Sequence, residues 1–449
     1  MSFHCSVLQL SEIIEAKCFN FSPQTKQKIV TGITTDSRQI KAGEAFLALV
    51  GEKFDGHNFA QAAIKQGAIA LITSRPITEN IPREIPQLIV EDTLQAYQKI
   101  AQWWRQQFKI PVIAITGSVG KTTTKELITA VLSTKGKVLK TEANYNNEIG
   151  VPKTLLGITP EHDYAVIEMG MRGLGEIALL TQIACPTIGI ITNVGTAHIG
   201  RLGSREAIAI AKCELLGNMP PTSIAVLNHD NPLLLTTAAQ VWQGKTITYG
   251  LTGGDITGEV QTDKITVDGI ELPLPLSGNH NALNYLGAIG VAKALGIELT
   301  SLAKGIKVNL PPGRASCHQL PNDIIILDET YNAGKESTIA ALKLLADTPG
   351  KRHIAVLGTM KELGEHSAEL HRAVGKTVAE LNIDLLFVLI DDPEATAIAD
   401  SATGVNTQCF TSRIELVHHL KQIITSGDRI LCKASNSVGL NKVVEDLTT

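Results

Sequence analysis

Lys121 and Thr122 close the run Ile113-Ala114-Ile115-Thr116-Gly117-Ser118-Val119-Gly120-Lys121-Thr122-Thr123, an apolar β-type stretch that passes through two glycines into a helix-compatible segment. This is the pattern of a phosphate-binding loop. Gly117 and Gly120 allow the tight turn that points backbone N–H groups at phosphate oxygens, and the helix that follows adds the positive end of its dipole. Gly117, Ser118, Gly120, Lys121, Thr122 and Thr123 are therefore the expected contacts to a nucleoside triphosphate, with Lys121 reaching the β/γ-phosphates and Thr122 ligating Mg²⁺. Ile115 stands where the strict motif carries its first glycine, so the form is a shortened one. Its flanks compensate: a strand-like run over 112–116 and a helix-compatible run over 123–132 supply the context that the loop physically requires. An ordinary glycine turn is the competing reading.

A triphosphate site also needs metal ligands. Glu168 ends the strand-like run 164–167, and His198 follows the strand and turn of 190–195, so both are expected at the carboxyl edge of a parallel sheet, where open α/β sheets bind ligands. Taken singly, Glu168 fits a solvated acid and His198 a structural histidine. Their common placement beside the loop favours metal ligation. Lys212 sits in the apolar helical run Ile210-Ala211-Lys212-Cys213-Glu214. Periodicity alone makes it a snorkelling lysine, while a desolvated lysine near a metal can lose its proton and take up carbon dioxide as a carbamate anion.

Such groups must be carried by a large α/β chain. At 449 residues more than one core is expected. A net charge of -4, with Lys and Arg dispersed, speaks against nucleic-acid binding, and no apolar run approaches a membrane span, so no membrane insertion is expected. The start, Met1-Ser2-Phe3-His4, lacks a basic segment followed by an apolar core. Seven scattered cysteines read as reduced structural thiols, and a cytoplasmic location is expected.

Strand-like and helix-like runs alternate from 111 onward, with strands over 164–167, 188–191 and 224–227 and helices over 204–216 and 281–295. The stretch 249–276, broken by Gly and Pro, reads as a small antiparallel insertion. Pro311-Pro312-Gly313 marks a boundary, beyond which strands at 324–327, 353–357, 385–390 and 429–432 alternate with helices at 337–346, 367–381 and 412–424. The expected class is α/β with three domains: 1–108, a small α/β domain; 109–311, a phosphate-loop parallel-sheet domain; and 312–449, a Rossmann-like domain.

The segments TGSVGKTTTKE (116–126), NYNNEIGVPKTLL (144–156), VIEMGMRGLGEI (166–177) and TNVGTAHIGRLGSREAIAIAKCEL (192–215) together resemble the ATP-dependent muramoyl-peptide ligases. Gly278-Asn279-His280-Asn281, Gly313-Arg314, Asp328-Glu329-Thr330-Tyr331-Asn332-Ala333 and the run 357–364 extend the likeness into the last domain. The resemblance implies an amide ligase that joins D-alanyl-D-alanine to UDP-N-acetylmuramoyl-tripeptide through an acyl phosphate, working as a monomer with ATP and Mg²⁺. It implies Lys121, His198 and Lys212 as catalytic groups, and Glu168, His198 and a carbamylated Lys212 around a second metal ion. Asn281 and Arg314 would contact the nucleotide, and Asp328 and Tyr331 its ribose and base. Ser37, Arg38, Asp55 and His57 would grip the UDP end of the substrate, with Asn147 a further substrate contact.

Two departures stand out. Lys433-Ala434-Ser435-Asn436 replaces Lys-Gly-Ser-Arg, removing a guanidinium, and Asn332-Ala333-Gly334-Lys335 replaces Asn-Ala-Asn-Pro. Three alternatives are weighed. The relative that adds the third peptide residue carries Asp-Asn-Pro-Arg in its last domain, whereas the only Asp-Asn-Pro here is Asp230-Asn231-Pro232, followed by Leu233. Folylpolyglutamate-type ligases are not expected to carry the Ser37-Arg38 and Asp55-Gly56-His57 segments. An ATPase switch would need an aspartate after an apolar run, which Glu168-Met169-Gly170 matches poorly.

Overall fold

A computed structural model describes residues 3–449; Met1 and Ser2, with which the reading of the start opens, lie outside them. The chain forms three α/β units, each built on its own sheet. In the first, strands Lys17–Phe19, Gln87–Ile89, Ala70–Thr73, Ala45–Leu47 and Ile33–Thr34 lie side by side in that order, and Cys5–Ser6 pairs with Ile29–Val30 as a separate ribbon.

The central sheet has nine strands. From one edge they run Val138–Lys140, Tyr164–Glu168, Val112–Thr116, Ile188–Ile191, Ile224–Asn228, Lys245–Gly250, Ile256–Val260, Lys264–Val267 and Ile270–Pro273. Val112–Thr116 and Ile188–Ile191 are buried at every residue, as β-branched strands covered by helices on both faces must be. The chain leaves Val112–Thr116 toward one edge and later returns to its other side, so a topological switch point lies at the carboxyl end of this strand, between Tyr164–Glu168 and Ile188–Ile191. The phosphate loop opens there.

The expected antiparallel character of 249–276 is present in Ile256–Val260, Lys264–Val267 and Ile270–Pro273, which pair antiparallel in succession. The region is not a separate insertion, because Ile256–Val260 also pairs parallel with Lys245–Gly250 and so extends the central sheet. Its Gly and Pro residues mark short edge hairpins, which tolerate both.

The third unit orders Ser316–Leu320, Ile324–Asp328, Asp428–Lys433, Arg352–Gly358, Leu385–Leu389 and Asn406–Phe410, parallel except for the first pair. Helix Thr93–Gln106 ties the first unit to the second. Trp104 Nε1 donates to Ile158 O at 3.0 Å, and buried Arg105 donates to Ala184 O, Cys185 O and Phe108 O at 3.0, 3.2 and 2.8 Å. These carbonyls lie at a helix C-terminus and in the linker, where backbone acceptors otherwise have no partner. All seven cysteines are free, and no helix among the described residues is long and apolar enough to cross a membrane.

Candidate active site

Gly117 and Gly120 take φ values of +153° and +81°, and Gly120 is the residue on which helix Lys121–Leu132 starts. A Cβ on Gly117 would collide with the Thr192 hydroxyl. The loop is stapled to the segment after the neighbouring strand: Ser118 N–H donates to Asn193 O (3.0 Å), Val119 N–H to Asn193 Oδ1 (3.1 Å), and Thr192 Oγ1 to Val119 O (2.7 Å). Lys121 curls back so that its ammonium donates to Gly117 O at 2.7 Å. Burial lowers its pKa, opposed by the nearby Glu168 carboxylate.

Glu168 is 2 % exposed and faces the loop. Its Oε2 accepts from Thr122 Oγ1 at 2.9 Å and its Oε1 from Asn146 Nδ2 at 2.9 Å, while its N–H donates to Thr141 Oγ1. Behind it the buried Lys125 ammonium donates to Thr141 O at 2.8 Å and lies 3.6 Å from Glu168 and 3.3 Å from Glu126. The Thr122 hydroxyl and the Glu168 carboxylate form a hard oxygen pair of the kind Mg²⁺ accepts. Among the described residues no three His, Cys, Asp or Glu side chains converge as a preformed metal cage.

His198 adopts φ +67° at the start of the short helix Ile199–Leu202. Its Nδ1 lies 2.7 Å from Glu362 Oε2 of the third unit. Burial, with the Lys121 charge next, lowers the pKa of its ring. Lys212 is 1 % exposed and makes no hydrogen bond or ion pair with any described residue. Burial, followed by the Lys121 charge, holds its pKa well below the usual lysine range. A neutral amine here is the form that reacts with carbon dioxide.

From the third unit, the Arg314 guanidinium stacks 3.7 Å over the Tyr331 ring, and its Nε is buried without a partner. Lys433 is buried and donates to Asn332 O at 2.9 Å. Asn281 donates to Ser277 O, and Asn284 Nδ2 donates to its Oδ1.

A cleft of about 1480 Å³ gathers Ser118, Gly120, Lys121, Thr122, Thr123, Asn147, Glu168, His198, Asn281, Arg314 and Tyr331 from two units. Other expected residues stand elsewhere. Asp328 turns inward, accepting from the Thr330 N–H (3.1 Å) and hydroxyl (2.6 Å); it shapes the turn that presents Tyr331 while Glu329 lines the cleft. His57 is buried in the first unit, where its Nε2 accepts from Ser74 N–H at 2.9 Å and its Nδ1 meets Asp55. Asp55 is further held by Arg75, which with His57 keeps its pKa below the carboxylate range. These two residues build the domain, leaving no ring nitrogen of His57 for a ligand. Arg38 is 85 % exposed and pairs with Asp36 at 2.8 Å, drawing that acid down to about 2; Ser37 lies between them. Asn147 Oδ1 accepts from Gly150 N–H at 2.9 Å at the start of helix Gly150–Leu156.

Comparison with known proteins agrees along the whole chain. Three models match in order: the Mur ligase family catalytic domain over 29–105, the Mur ligase middle domain over 115–292, and the Mur ligase glutamate ligase domain over 313–436. A UDP-N-acetylmuramoyl-tripeptide--D-alanyl-D-alanine ligase from Synechocystis sp. is 55% identical over 447 residues, covering 100% of this chain and 98% of the relative. This chain belongs to the Mur ligase family. Among solved Mur ligases, MurF from Acinetobacter baumannii superposes with a TM-score of 0.89 at 31% identity, covering 100% of this chain and 99% of that one. MurF ligase from Thermotoga maritima in complex with ADP gives 0.83 at 30%, covering 93% and 97%.

Asn146, Glu336 and Glu362 of this Mur ligase cleft, and Lys125 buried behind Glu168, were not singled out as site residues from the sequence. Asn146 had a signal, an asparagine run between a strand and a helix. Lys125 had none, since a lysine in a helix reads as solvated until its burial is known.

Proposed function

We propose that the chain is an ATP-dependent ligase that joins D-alanyl-D-alanine to UDP-N-acetylmuramoyl-tripeptide, a step of peptidoglycan precursor synthesis. The observation that carries this reading is the convergence of Lys121, Thr122 and Glu168 on one cleft in a chain 55% identical, end to end, to a ligase of that name.

The chemistry follows from why ATP is needed. A carboxylate is a poor acyl electrophile because it has no leaving group. The tripeptide carboxylate oxygen attacks the γ-phosphorus, the bond to the ADP oxygen breaks, and an acyl phosphate forms. The neutral amine of D-Ala-D-Ala then attacks the acyl carbon, expels phosphate and loses a proton. Lys121 and the loop N–H groups stabilise charge spreading over the phosphoryl oxygens. Thr122 and Glu168 would hold Mg²⁺, which neutralises phosphate charge, and Glu168, His198 and carbamylated Lys212 a second ion. Arg314 and Tyr331 offer a stacked planar surface to the nucleotide beside Asn281. Ser37 and Arg38 face the UDP end, where a guanidinium suits a diphosphate. We take the boundaries of the three working domains as 1–108, 109–311 and 312–449, the active unit as one chain, and the compartment as the cytoplasm.

The deciding experiment supplies ATP, Mg²⁺ and UDP-muramoyl-tripeptide and measures phosphate release with and without D-Ala-D-Ala. Release that requires the dipeptide, matched by product of the added mass, is expected. Release indifferent to it would make the chain a plain ATPase.

A further inference from the structure

Glu336 belongs to helix Lys335–Asp347 of the third unit, yet its carboxylate reaches the central unit. Oε1 accepts from the Thr196 N–H at 3.1 Å and Oε2 from the Thr196 hydroxyl at 2.9 Å. One residue earlier, the Gly195 N–H donates to Ser118 Oγ, in the phosphate loop, at 2.8 Å. Ser118 in turn donates its own N–H to Asn193 O at 3.0 Å. The phosphate loop and a carboxylate from another domain therefore grip the same short segment, 193–196. Gly195 makes the approach possible, since a Cβ there would come within 2.8 Å of the Glu336 carboxyl carbon.

The Lys335 ammonium lies 3.8 Å from Glu336, farther than the two neutral donors of Thr196. Two donors on one carboxylate fix orientation more than they add stability, because a carboxylate taken from water needs its charge satisfied. We propose that Glu336 is a positioning residue that holds the phosphate loop in register through Thr196, Gly195 and Ser118, so that the grip on nucleotide phosphates depends on the third domain being docked. This rests on the nucleotide reading given above.

The test is ADP binding in the presence of Mg²⁺, followed by calorimetry, for the parent chain and for Glu336→Ala, Glu336→Gln, Thr196→Val, Thr196→Ser and the Glu336→Ala/Thr196→Val pair, with a thermal midpoint for each. Glu336→Ala is expected to weaken ADP by about five- to tenfold and Thr196→Val, which keeps the N–H donor, by about two- to threefold, the double variant no more than Glu336→Ala alone, because both act on one chain of contacts. Thr196→Ser, which keeps both donors, should stay near the parent, and Glu336→Gln should fall between. If Glu336→Ala does not fold, Glu336→Gln and the two Thr196 variants carry the comparison.

Unchanged ADP affinity in the single variants, whatever their thermal midpoints, would overturn the proposal, as would losses that multiply in the pair. A raised KM for D-Ala-D-Ala alone, with ADP affinity intact, would also overturn it by making Glu336 a substrate contact. A parent chain that binds no ADP would remove the nucleotide reading and the proposal together, whereas a parent that binds ADP alongside indifferent variants removes the proposal alone.

Discussion

Lys121 spends its charge on two loop carbonyls, Gly117 O and Ser118 O, that phosphate oxygens would displace. Its removal should cost little stability and most of the reaction: Lys121→Ala is expected to lower dipeptide-dependent phosphate release by about a thousandfold, with a thermal midpoint close to the parent's. Retained turnover would refute the assignment of the loop. Lys212 makes the opposite kind of prediction, because it is buried with nothing paired to it. Lys212→Ala should be inactive, and millimolar acetate or formate should restore part of the rate by supplying the missing carboxylate; absence of rescue together with an unmodified mass for the parent would exclude the carbamate. His280 gives a pH dependence. Burial, with the Lys433 ammonium beside it, pushes its ring down to about 4, against about 6.5 unfolded. The unfolded chain thus binds more protons between these values, so stability rises with pH across that window and is lost as pH falls from about 6.5 toward about 4. Discounted for the exposure the residue retains, the full effect is on the order of 2 kcal/mol. Denaturant titrations of His280→Asn should show that slope flattened relative to the parent; parallel slopes would refute it.

Elements decide which of these groups meet. The strand before the phosphate loop was legible because four apolar residues and a glycine turn precede a lysine, and its buried register follows from β-branching alone. Glu168 was legible because a carboxylate that ends such a strand can only emerge at its carboxyl edge, beside the loop. His57 and Asp55 were not. A motif gives residue types, while their exposure depends on Ser74 and Arg75, which follow the strand Ala70–Thr73. The same limit applies to Asp328, one residue from the cleft, where a hydroxyl two positions on turns the carboxylate inward. The role of helix Thr93–Gln106 as the tie between units depends on Arg105, whose three carbonyl partners come from other segments and its own flank. Arg105→Ala leaves buried acceptors unsatisfied and should destabilise the chain by about 2 kcal/mol or more in chemical denaturation. An Arg105→Lys variant, able to reach one acceptor at a time, should recover only part of that; no loss in either would show that the tie is made elsewhere.

At the scale of the molecule, the contacts between the second and third units fall on the reacting side of the cleft. Glu362 meets His198 at 2.7 Å and Arg201 at 3.8 Å, Glu336 meets Thr196, and Gly200 lies against Gly364 with space for no Cβ on either. If His198 serves a metal ion, docking of the third unit orients that ring as well as enclosing the intermediate from water. The first unit, by contrast, is anchored by one helix and carries Arg38 on an open surface. Closure should then occur in two stages. A compact chain of this length has a radius of gyration of about 22 Å, and the ligand-free chain, with a cleft between its units, should exceed that in solution scattering. Adding ADP and Mg²⁺ should bring a first fall, through docking of the third unit, and UDP-muramoyl-tripeptide a second, through the first unit. Glu362→Ala should blunt the first fall and leave the second. Equal blunting of both, or no change in the variant, would show that Glu362 is not part of the contact that docks the third unit.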